Sequence, residues 1–265
     1  MALNDLWREL GSTGIKVSPL GLGTVKIGRD QQVKYPTGFT IPDDRAVSEL
    51  FDLAWDLGIN TLDTAPAYGN SEERLGKLLP GRHDWVIVGK VGEIFEHGES
   101  SFDFSAAYTR MSVERSLRRL RRDHLDMVLV HSSGDDMAII RNEAVCDTLL
   151  ELQHEGKIAA VGMSTKTVEG GLWCVEHMDV VMATYNPSYT DELPVLERAA
   201  ALRKGVLIKK GLQSGHADTA AGGGGVEEAL RFVFAQSAVH SVVVGTINPR
   251  HLRENVVITE QVLRG

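Results

Sequence analysis

The sequence predicts an α/β fold: a closed (β/α)8 TIM barrel with a short N-terminal β-hairpin. Three observations point to it. Strand-like and helix-like runs alternate eight times, the pattern of a parallel sheet. The strand-like runs are continuously apolar, as expected when helices cover the sheet. The eight pairs occupy about 245 residues, close to the ~250 of a closed barrel. A chain of 265 residues with 43% hydrophobic content can bury such a core. A doubly wound open sheet is the alternative. No composition break or linker marks a second domain, so residues 1–265 read as one barrel domain.

The elements follow in order. Leu10-Gly11-Ser12-Thr13-Gly14 is polar and glycine-rich and suits the tip of a small hairpin. Leu20 to Val25 is the first barrel strand. A loop from about Gly28 to Pro42 carries Tyr35 and Phe39. Asp43-Asp44 starts a helix, with acids where the helix dipole favours them. Leu50, Leu53, Ala54 and Leu57 continue it, and Gly58 suits its C-terminal cap. Asn60 to Asp63 is the second strand. Ser71-Glu72-Glu73 opens the next helix, with Pro80-Gly81 as its stop. Trp85 to Lys90 is the third strand and Tyr108 to Leu120 a long helix. Leu125 to His131 is the fourth strand, and the helix from Val145 to Leu152 ends at Gly156. Ile158 to Met163, Val180 to Ala183, Gly205 to Ile208 and Ser241 to Gly245 are the last four strands. Helices over Leu193 to Leu202, Ala229 to Phe234 and Leu252 to Leu263 complete the alternation. Gly222 to Gly225 lies inside the seventh connection and reads as a loop.

Bulk properties exclude several classes. There are 36 acidic and 28 basic residues, giving a formal charge of -8, which disfavours a nucleic-acid partner. The basic run Ser116 to Arg122 has leucines at helical spacing and reads as a solvated helix face. Cys146 and Cys174 form no metal-binding pattern and read as two reduced thiols near the core. His97, His154 and His216 lack partners at ligand spacing, so no metal is predicted. The N-terminus lacks the apolar region of a secretory signal. No apolar run approaches the ~20 residues of a membrane span. A cytoplasmic enzyme with no membrane partner is the expectation.

The stretch Asn60-Thr61-Leu62-Asp63-Thr64-Ala65-Pro66-Ala67-Tyr68-Gly69 carries the chemistry. It begins as a strand and ends as a polar loop holding a carboxylate and a phenol. A phenol with a pKa of about 10 is a poor acid unless a cation stands beside it. Catalytic groups in such barrels project from the C-terminal ends of strands. Lys90 ends the third strand and His131 the fourth. With Asp63 and Tyr68 they come from three neighbouring strands and can converge. Lys90 would then favour the phenolate, Asp63 would hold Lys90 charged, and His131 would orient a substrate oxygen. Such a set suits protonation of a carbonyl oxygen as hydride reaches its carbon.

Asp63-Thr64-Ala65-x-x-Tyr68-Gly69 followed by Ser71-Glu72-x-x-Leu75-Gly76 resembles the signature of the aldo-keto reductases. The likeness extends over Leu20-Gly21-Leu22-Gly23-Thr24, Lys90, Leu125-Asp126 to His131, Val161-Gly162-Met163-Ser164 and Leu252-x-Glu254-Asn255. The resemblance implies a catalytic tetrad of Asp63, Tyr68, Lys90 and His131, a small carbonyl substrate and an NADP(H) cofactor, with NAD(H) possible. It places Gly23 and Thr24 near the nicotinamide and Ser164 at its carboxamide. Leu212, Gln213 and Ser214 would follow the pyrophosphate, and Glu254 and Asn255 would reach the adenine. No G-x-G-x-x-G supports a Rossmann-type site.

Three positions depart from the family pattern. Met182 stands where many relatives have Gln. Lys209 or Lys210 replaces a stacking aromatic. The 2′-phosphate would fall to Arg250, His251 or Arg253. Phe95, Phe102 and Phe104 join Tyr35 and Phe39 as candidates for the substrate pocket. Two alternatives stay open: a Schiff-base lyase using Lys90, Lys209 or Lys210, and a non-catalytic cofactor-binding protein on the same barrel. The sequence leaves the oligomeric state undetermined, and a monomer is compatible with it.

Overall fold

A computed structural model describes residues 2–33, 38–79, 84–213 and 225–265. Tyr35, Pro80-Gly81, Ser214, His216 and Gly222 to Gly224 lie outside the described residues. The chain opens with an antiparallel hairpin, β1 (Arg8–Glu9) and β2 (Lys16–Val17). Barrel strands β3 (Leu20–Gly23), β4 (Thr61–Asp63) and β5 (Val86–Val91) follow. A second hairpin, β6 (Glu93–Glu96) and β7 (Glu99–Phe102), then leaves the barrel mouth. The remaining barrel strands are β8 (Leu125–His131), β9 (Ile158–Ser164), β10 (Val180–Thr184), β11 (Gly205–Lys209) and β12 (Ser241–Val244). They pair in parallel in the order β10-β11-β12-β3-β4-β5-β8-β9, and β9 closes the ring on β10.

Among the described residues, eight helices form the outer layer: α2 (Asp44–Asp56), α3 (Ser71–Leu78), α4 (Ala106–Leu120), α6 (Val145–His154), α7 (Val168–His177), α8 (Leu193–Leu202), α9 (Gly225–Phe234) and α10 (Pro249–Arg264). Two short helices, α1 (Val25–Gly28) and α5 (Asp136–Asn142), sit in connections. Their starts follow local chemistry. Asp43 caps α2 by accepting from Ala46 N at 2.8 Å, and Thr167 caps α7 by accepting from Gly170 N at 3.1 Å. Asn248 caps α10, with Pro249 at its first position. Gly58 follows α2 at φ +79, a conformation open to glycine and costly for a side chain.

The two-residue period of the strands sorts side chains between the barrel interior and the helix layer. Val86 and Val88 of β5, Met127 and Leu129 of β8, Ala160 of β9, Val180 and Met182 of β10, and Leu207 of β11 form one buried interior cluster. The alternate residues Ile87, Val128, Val130, Val161, Met163, Val181, Ala183, Val206 and Ile208 pack against the helices. Further along the inward sets of β5, β8, β9 and β11 stand Lys90, His131, Ser164 and Lys209. Leu62 packs outward, so Asp63 faces in. The same alternation that fills the barrel therefore places polar groups at its C-terminal mouth.

The opposite end is plugged by the first hairpin. Leu10 and Val17 are fully buried and belong to the interior cluster. Gly205 is glycine where Leu10 lies against the backbone, since a Cβ there would meet the Leu10 side chain. The second hairpin was not foreseen from the sequence. Its turn, His97-Gly98, has φ +54 and +83, the paired positive angles of a type I′ connection. Cys146 and Cys174 are buried and free.

Leu10→Ala is expected to lower stability by about 2–5 kcal/mol, the usual cost of emptying a buried leucine site. Urea denaturation measures it. A loss well below that range would show that the plug is not part of the core.

Candidate active site

The tyrosine loop is held by buried hydroxyls and by close glycine contacts. Thr24 donates from both N and Oγ1 to Asp63 O, each at 2.9 Å. Ser71, the first residue of α3, donates to Thr24 Oγ1 at 2.7 Å, and its hydroxyl lies 3.1 Å from that of Thr64. These three hydroxyls fasten the end of β4 to the start of α3, with Tyr68 in the span between. Gly28 and Gly69 meet beneath the loop. A Cβ on Gly69 would overlap Gly28 O, and one on Gly28 would overlap Tyr68 O. Gly69 also sits at φ +62. Thr24 is fully buried and so supports the site's frame from behind.

The cation stands beside the phenol. Lys90 Nζ donates to Asp63 Oδ1 and, at 3.1 Å, to Thr64 O. It lies 4.9 Å from the centre of the Tyr68 ring. Lys90 and Asp63 are 3% and 5% exposed, so the pair is shielded from water and each charge depends on the other. The His131 ring meets the Tyr68 ring nearly at right angles, centres 6.1 Å apart. All four residues of the sequence-derived set therefore converge on one side of the mouth.

His131 has a neighbour that the sequence did not reveal. Its Nδ1 lies 2.8 Å from Glu93 Oε2, at the root of the second hairpin. This is an approach of charge-bearing groups and not a hydrogen bond, since among the described residues Nδ1 has no partner of hydrogen-bond geometry. Glu93 also accepts from Ser100 Oγ at 2.7 Å and from Arg29 Nη1 at 3.3 Å. Burial alone would push its carboxyl up. The attraction of the nearby His131 and the bonds from Ser100 and Arg29 outweigh burial and hold it at about 2. Burial pushes His131 below the ordinary histidine value, with Lys90 and Lys209 acting in the same direction and Glu93 opposing. His131 is therefore neutral near pH 7.

Arg29 ties three loops together. Its side chain donates to Gln31 O and Ala67 O and pairs with Glu93. Its guanidinium lies 3.4 Å from the centre of the Phe95 ring. Phe102 and Phe104 stack on each other farther along the hairpin, and Phe104 is buried under Gly92. Phe39 lies 5.3 Å from Lys26 Nζ.

The far side of the mouth is also polar. Lys209 Nζ donates to Ser164 Oγ at 2.9 Å and to Thr165 O. Burial pushes its ammonium down to about 8, against the pull of Glu192. Asp136 is fully buried. It accepts from Ser132 Oγ, Lys166 N, Thr167 N and Thr167 Oγ1, which fixes the turn after Ser164. Lys210 and Gln213 have φ +56 and +51 in the loop after β11. Asn186 Nδ2 donates to Lys210 O at 3.1 Å. Such angles in residues with side chains mark a backbone shaped by its surroundings. Met182 lies inside the barrel. Gly23 ends β3 at the mouth and is partly exposed, as are Leu212 and Gln213. Arg250 and Glu254 are paired at 2.7 Å on the first turns of α10, where Asn255 is buried.

Among the described residues no group of three or more His, Cys, Asp or Glu is arranged to hold a metal ion. No described helix is long and apolar enough to cross a membrane.

A parallel barrel with a buried carboxylate–lysine pair against a tyrosine, and a histidine on the next strand, defines an oxidoreductase site of the aldo-keto reductase type. The model of the Aldo/keto reductase family matches residues 19–201, and the chain belongs to that family. It is an NAD(P)H-dependent reductase. It is 30% identical to L-galactose dehydrogenase of Arabidopsis thaliana, over 94% of this chain and 86% of that one. It is 28% identical to the oxidoreductase YqkF of Bacillus subtilis, over 94% and 89%. A solved structure from Pseudomonas aeruginosa assigned to the aldo-keto reductases is 54% identical, covers 99% of this chain and 97% of its own, and superposes with a TM-score of 0.91. The holo form of an aldo-keto reductase from Bacillus halodurans, 22% identical over 97% and 95% of the two chains, shares the fold with a TM-score of 0.77.

Two outcomes test the site. Asp63→Asn leaves a buried ammonium without its counter-charge, and chemical denaturation is expected to show a loss of about 3–5 kcal/mol. A change below 1 kcal/mol would mean that the pair is solvated (~1 kcal/mol is the scale of exposed pairs). Glu93 titrates near 2 when folded and near ~4.3 when unfolded. A depressed carboxyl contributes stability that is complete above about pH 4.3 and lost as pH falls towards 2. The stability gap between wild type and Glu93→Gln should therefore shrink from about pH 5 to about pH 3. A constant gap would contradict the depressed value.

Proposed function

We propose that the protein transfers hydride reversibly between NADP(H) and an aldehyde or ketone, with Tyr68 giving the proton to the carbonyl oxygen. The observation that carries this reading is Lys90 Nζ beside the Tyr68 ring, held there by Asp63. When the phenol gives up its proton it becomes negative. A fixed ammonium at its face lowers the energy of that charge without reorganisation at the moment of reaction. The bound nicotinamide would supply the hydride. Ser164 and Lys209, joined by a hydrogen bond on the side of the mouth opposite Asp63, are suited to hold its polar substituents. Arg250, His251 and Arg253 are exposed at the start of α10, where positive side chains and a helix N-terminus together suit a 2′-phosphate. This favours NADP(H) over NAD(H).

The substrate is proposed to be a small polar carbonyl compound, an oxidised sugar among the candidates. L-galactose dehydrogenase and D-arabinose 1-dehydrogenase of Saccharomyces cerevisiae are among the relatives. The inward side chains at the mouth, Lys90, His131, Ser164 and Lys209, are polar, which suits hydroxylated molecules better than apolar ones.

One observation favours a second reading. The buried Lys209 amine is pushed down to about 8 and so is neutral in part near pH 7. A neutral amine can form an imine with a carbonyl. Borohydride trapping of substrate on Lys209 in the absence of nucleotide would favour it.

Tyr68→Phe is expected to lower carbonyl turnover by about 10²–10⁴-fold, the usual contribution of a positioned acid. NADPH binding, followed by fluorescence, should be unchanged. Turnover near the wild-type rate would overturn the assignment. Arg250→Ala combined with Arg253→Ala should weaken NADPH by about tenfold, or about 1.4 kcal/mol, and leave NADH unaffected. Equal weakening of both would place the 2′-phosphate elsewhere.

A further inference from the structure

Two lysines stand on opposite sides of the mouth, and their charges are answered differently. Lys90 on β5 has Asp63 in contact, so its charge is balanced where it stands. Lys209 starts on β11 and spans β10 to reach Ser164 Oγ, at 2.9 Å, and Thr165 O at the end of β9. In the ring of strands β10 is diametrically opposite β4. Its inward residue level with Ser164, Met182, is apolar and has no charge to offer. The contacts of the Lys209 ammonium are thus a hydroxyl and a carbonyl, and among the described residues it forms no ion pair. Glu192 accepts from Thr184 N and from Thr165 Oγ1, and it acts on Lys209 only through space. The field of this ammonium therefore extends into the mouth, and it is felt at His131 on β8.

A nicotinamide ring is neutral when reduced and carries a positive charge when oxidised, while the phosphates of the nucleotide are the same in both states. A hydride donor has to stand across the carbonyl from Tyr68 and His131, in the half of the mouth that Lys209 faces. Like charges repel strongly where water is excluded. We propose that the Lys209 ammonium sets the redox poise of the site: it makes the protein hold NADPH more tightly than NADP⁺, and loss of its proton erases the preference. The proposal rests on the reductase reading above, which brings the nicotinamide to this mouth. Loading of the reduced nucleotide and release of the oxidised one are both favoured. The overall equilibrium is unchanged, so the transfer step within the site gives back what loading gains.

The preference depends on pH with a defined sign. Burial pushes the Lys209 ammonium down to about 8. Lys210 after β11 and Lys166 in the turn after β9 push the same way, while Glu192 before α8 and Asp136 on α5 oppose them. His131 is neutral near pH 7 and adds no charge. The preference is therefore complete below about pH 8 and fades above it. By linkage the reverse also holds, and NADP⁺ drives more protons off Lys209 on binding than NADPH does.

The test titrates NADPH and NADP⁺ separately into the full-length protein by calorimetry, at about pH 7 and about pH 9.5, and reads the ratio of the two Kd values. In wild type the preference for NADPH should fall about tenfold from the lower pH to the higher. Lys209→Met should show the low ratio at both. Lys209→Arg, which stays charged, should show the high ratio at both. In buffers of different ionisation enthalpy near pH 7.5, wild type should release more protons with NADP⁺ than with NADPH. Equal ratios in wild type and Lys209→Met near pH 7 would overturn the proposal. So would a ratio that still falls with pH in Lys209→Met, which would assign the effect to another group of the mouth, Tyr68 first. If neither variant folds, wild type decides alone: a ratio independent of pH, with equal proton release, overturns the proposal. Failure to bind either nucleotide would overturn the reductase reading and this proposal with it. The predicted ratios in a protein inactive on every carbonyl would instead fault the proposed function and leave the role of Lys209 standing.

Discussion

The site depends on one ion pair that water cannot reach. Lys90 and Asp63 sit at the inward positions of adjacent strands, both almost fully buried. Neither charge is tolerable there alone, because burying an isolated ion costs several kcal/mol. Together they are tolerable, and the ammonium that results is fixed beside the Tyr68 ring. The geometry of the mouth follows from this constraint. The hydroxyls of Thr24, Thr64 and Ser71 lock the end of β4, so Asp63 cannot drift from Lys90. The Gly28 and Gly69 contact brings the first loop down on the tyrosine turn. Arg29 then extends the frame to the hairpin that carries Glu93.

The barrel contributes direction rather than chemistry. Alternation along each strand fills the interior with Val86, Val88, Met127, Leu129 and Leu207, and the next inward position on β5, β8 and β11 meets the open end. There an apolar side chain would have nothing to pack against, and a polar one can face a ligand. Lys90, His131 and Lys209 occupy those positions. The other end receives Leu10 and Val17 of the first hairpin instead, and it is closed with apolar side chains. One end is a plug and the other a site because the chain supplies a hairpin to one and loops to the other.

Much of this was legible in the sequence. Eight apolar runs with helical patterns between them sufficed for the barrel, and the strand from Leu125 to His131 has the boundaries expected of it. The convergence of Asp63, Tyr68, Lys90 and His131 was legible because each stands at a strand end or within one loop of it. What escaped was the contact between loops. Glu93 stands three residues after Lys90 in a stretch read only as a connection. The turn signal His97-Gly98 between alternating residues was available and marks a hairpin, but no pattern within the sequence says that the hairpin folds back onto His131. The role of Arg29 was hidden for the same reason: its partners Ala67 and Glu93 are 38 and 64 positions away. Nothing near Asp136 in the sequence announces the four donors that surround it, since three of them lie 30 or 31 positions away. Strand ends are set by local periodicity. Loop contacts are set by the whole fold.

The central claim is that proton and hydride reach one carbonyl group together, the proton from Tyr68 and the hydride from the bound nucleotide. The most direct measurement is turnover of an aldehyde with NADPH deuterated at the nicotinamide C4, in water and in heavy water. The account predicts that the deuterium appears on the product carbon. It also predicts a cofactor isotope effect and a solvent isotope effect on the same step, the two present together under single-turnover conditions. Product free of the cofactor's deuterium would contradict it.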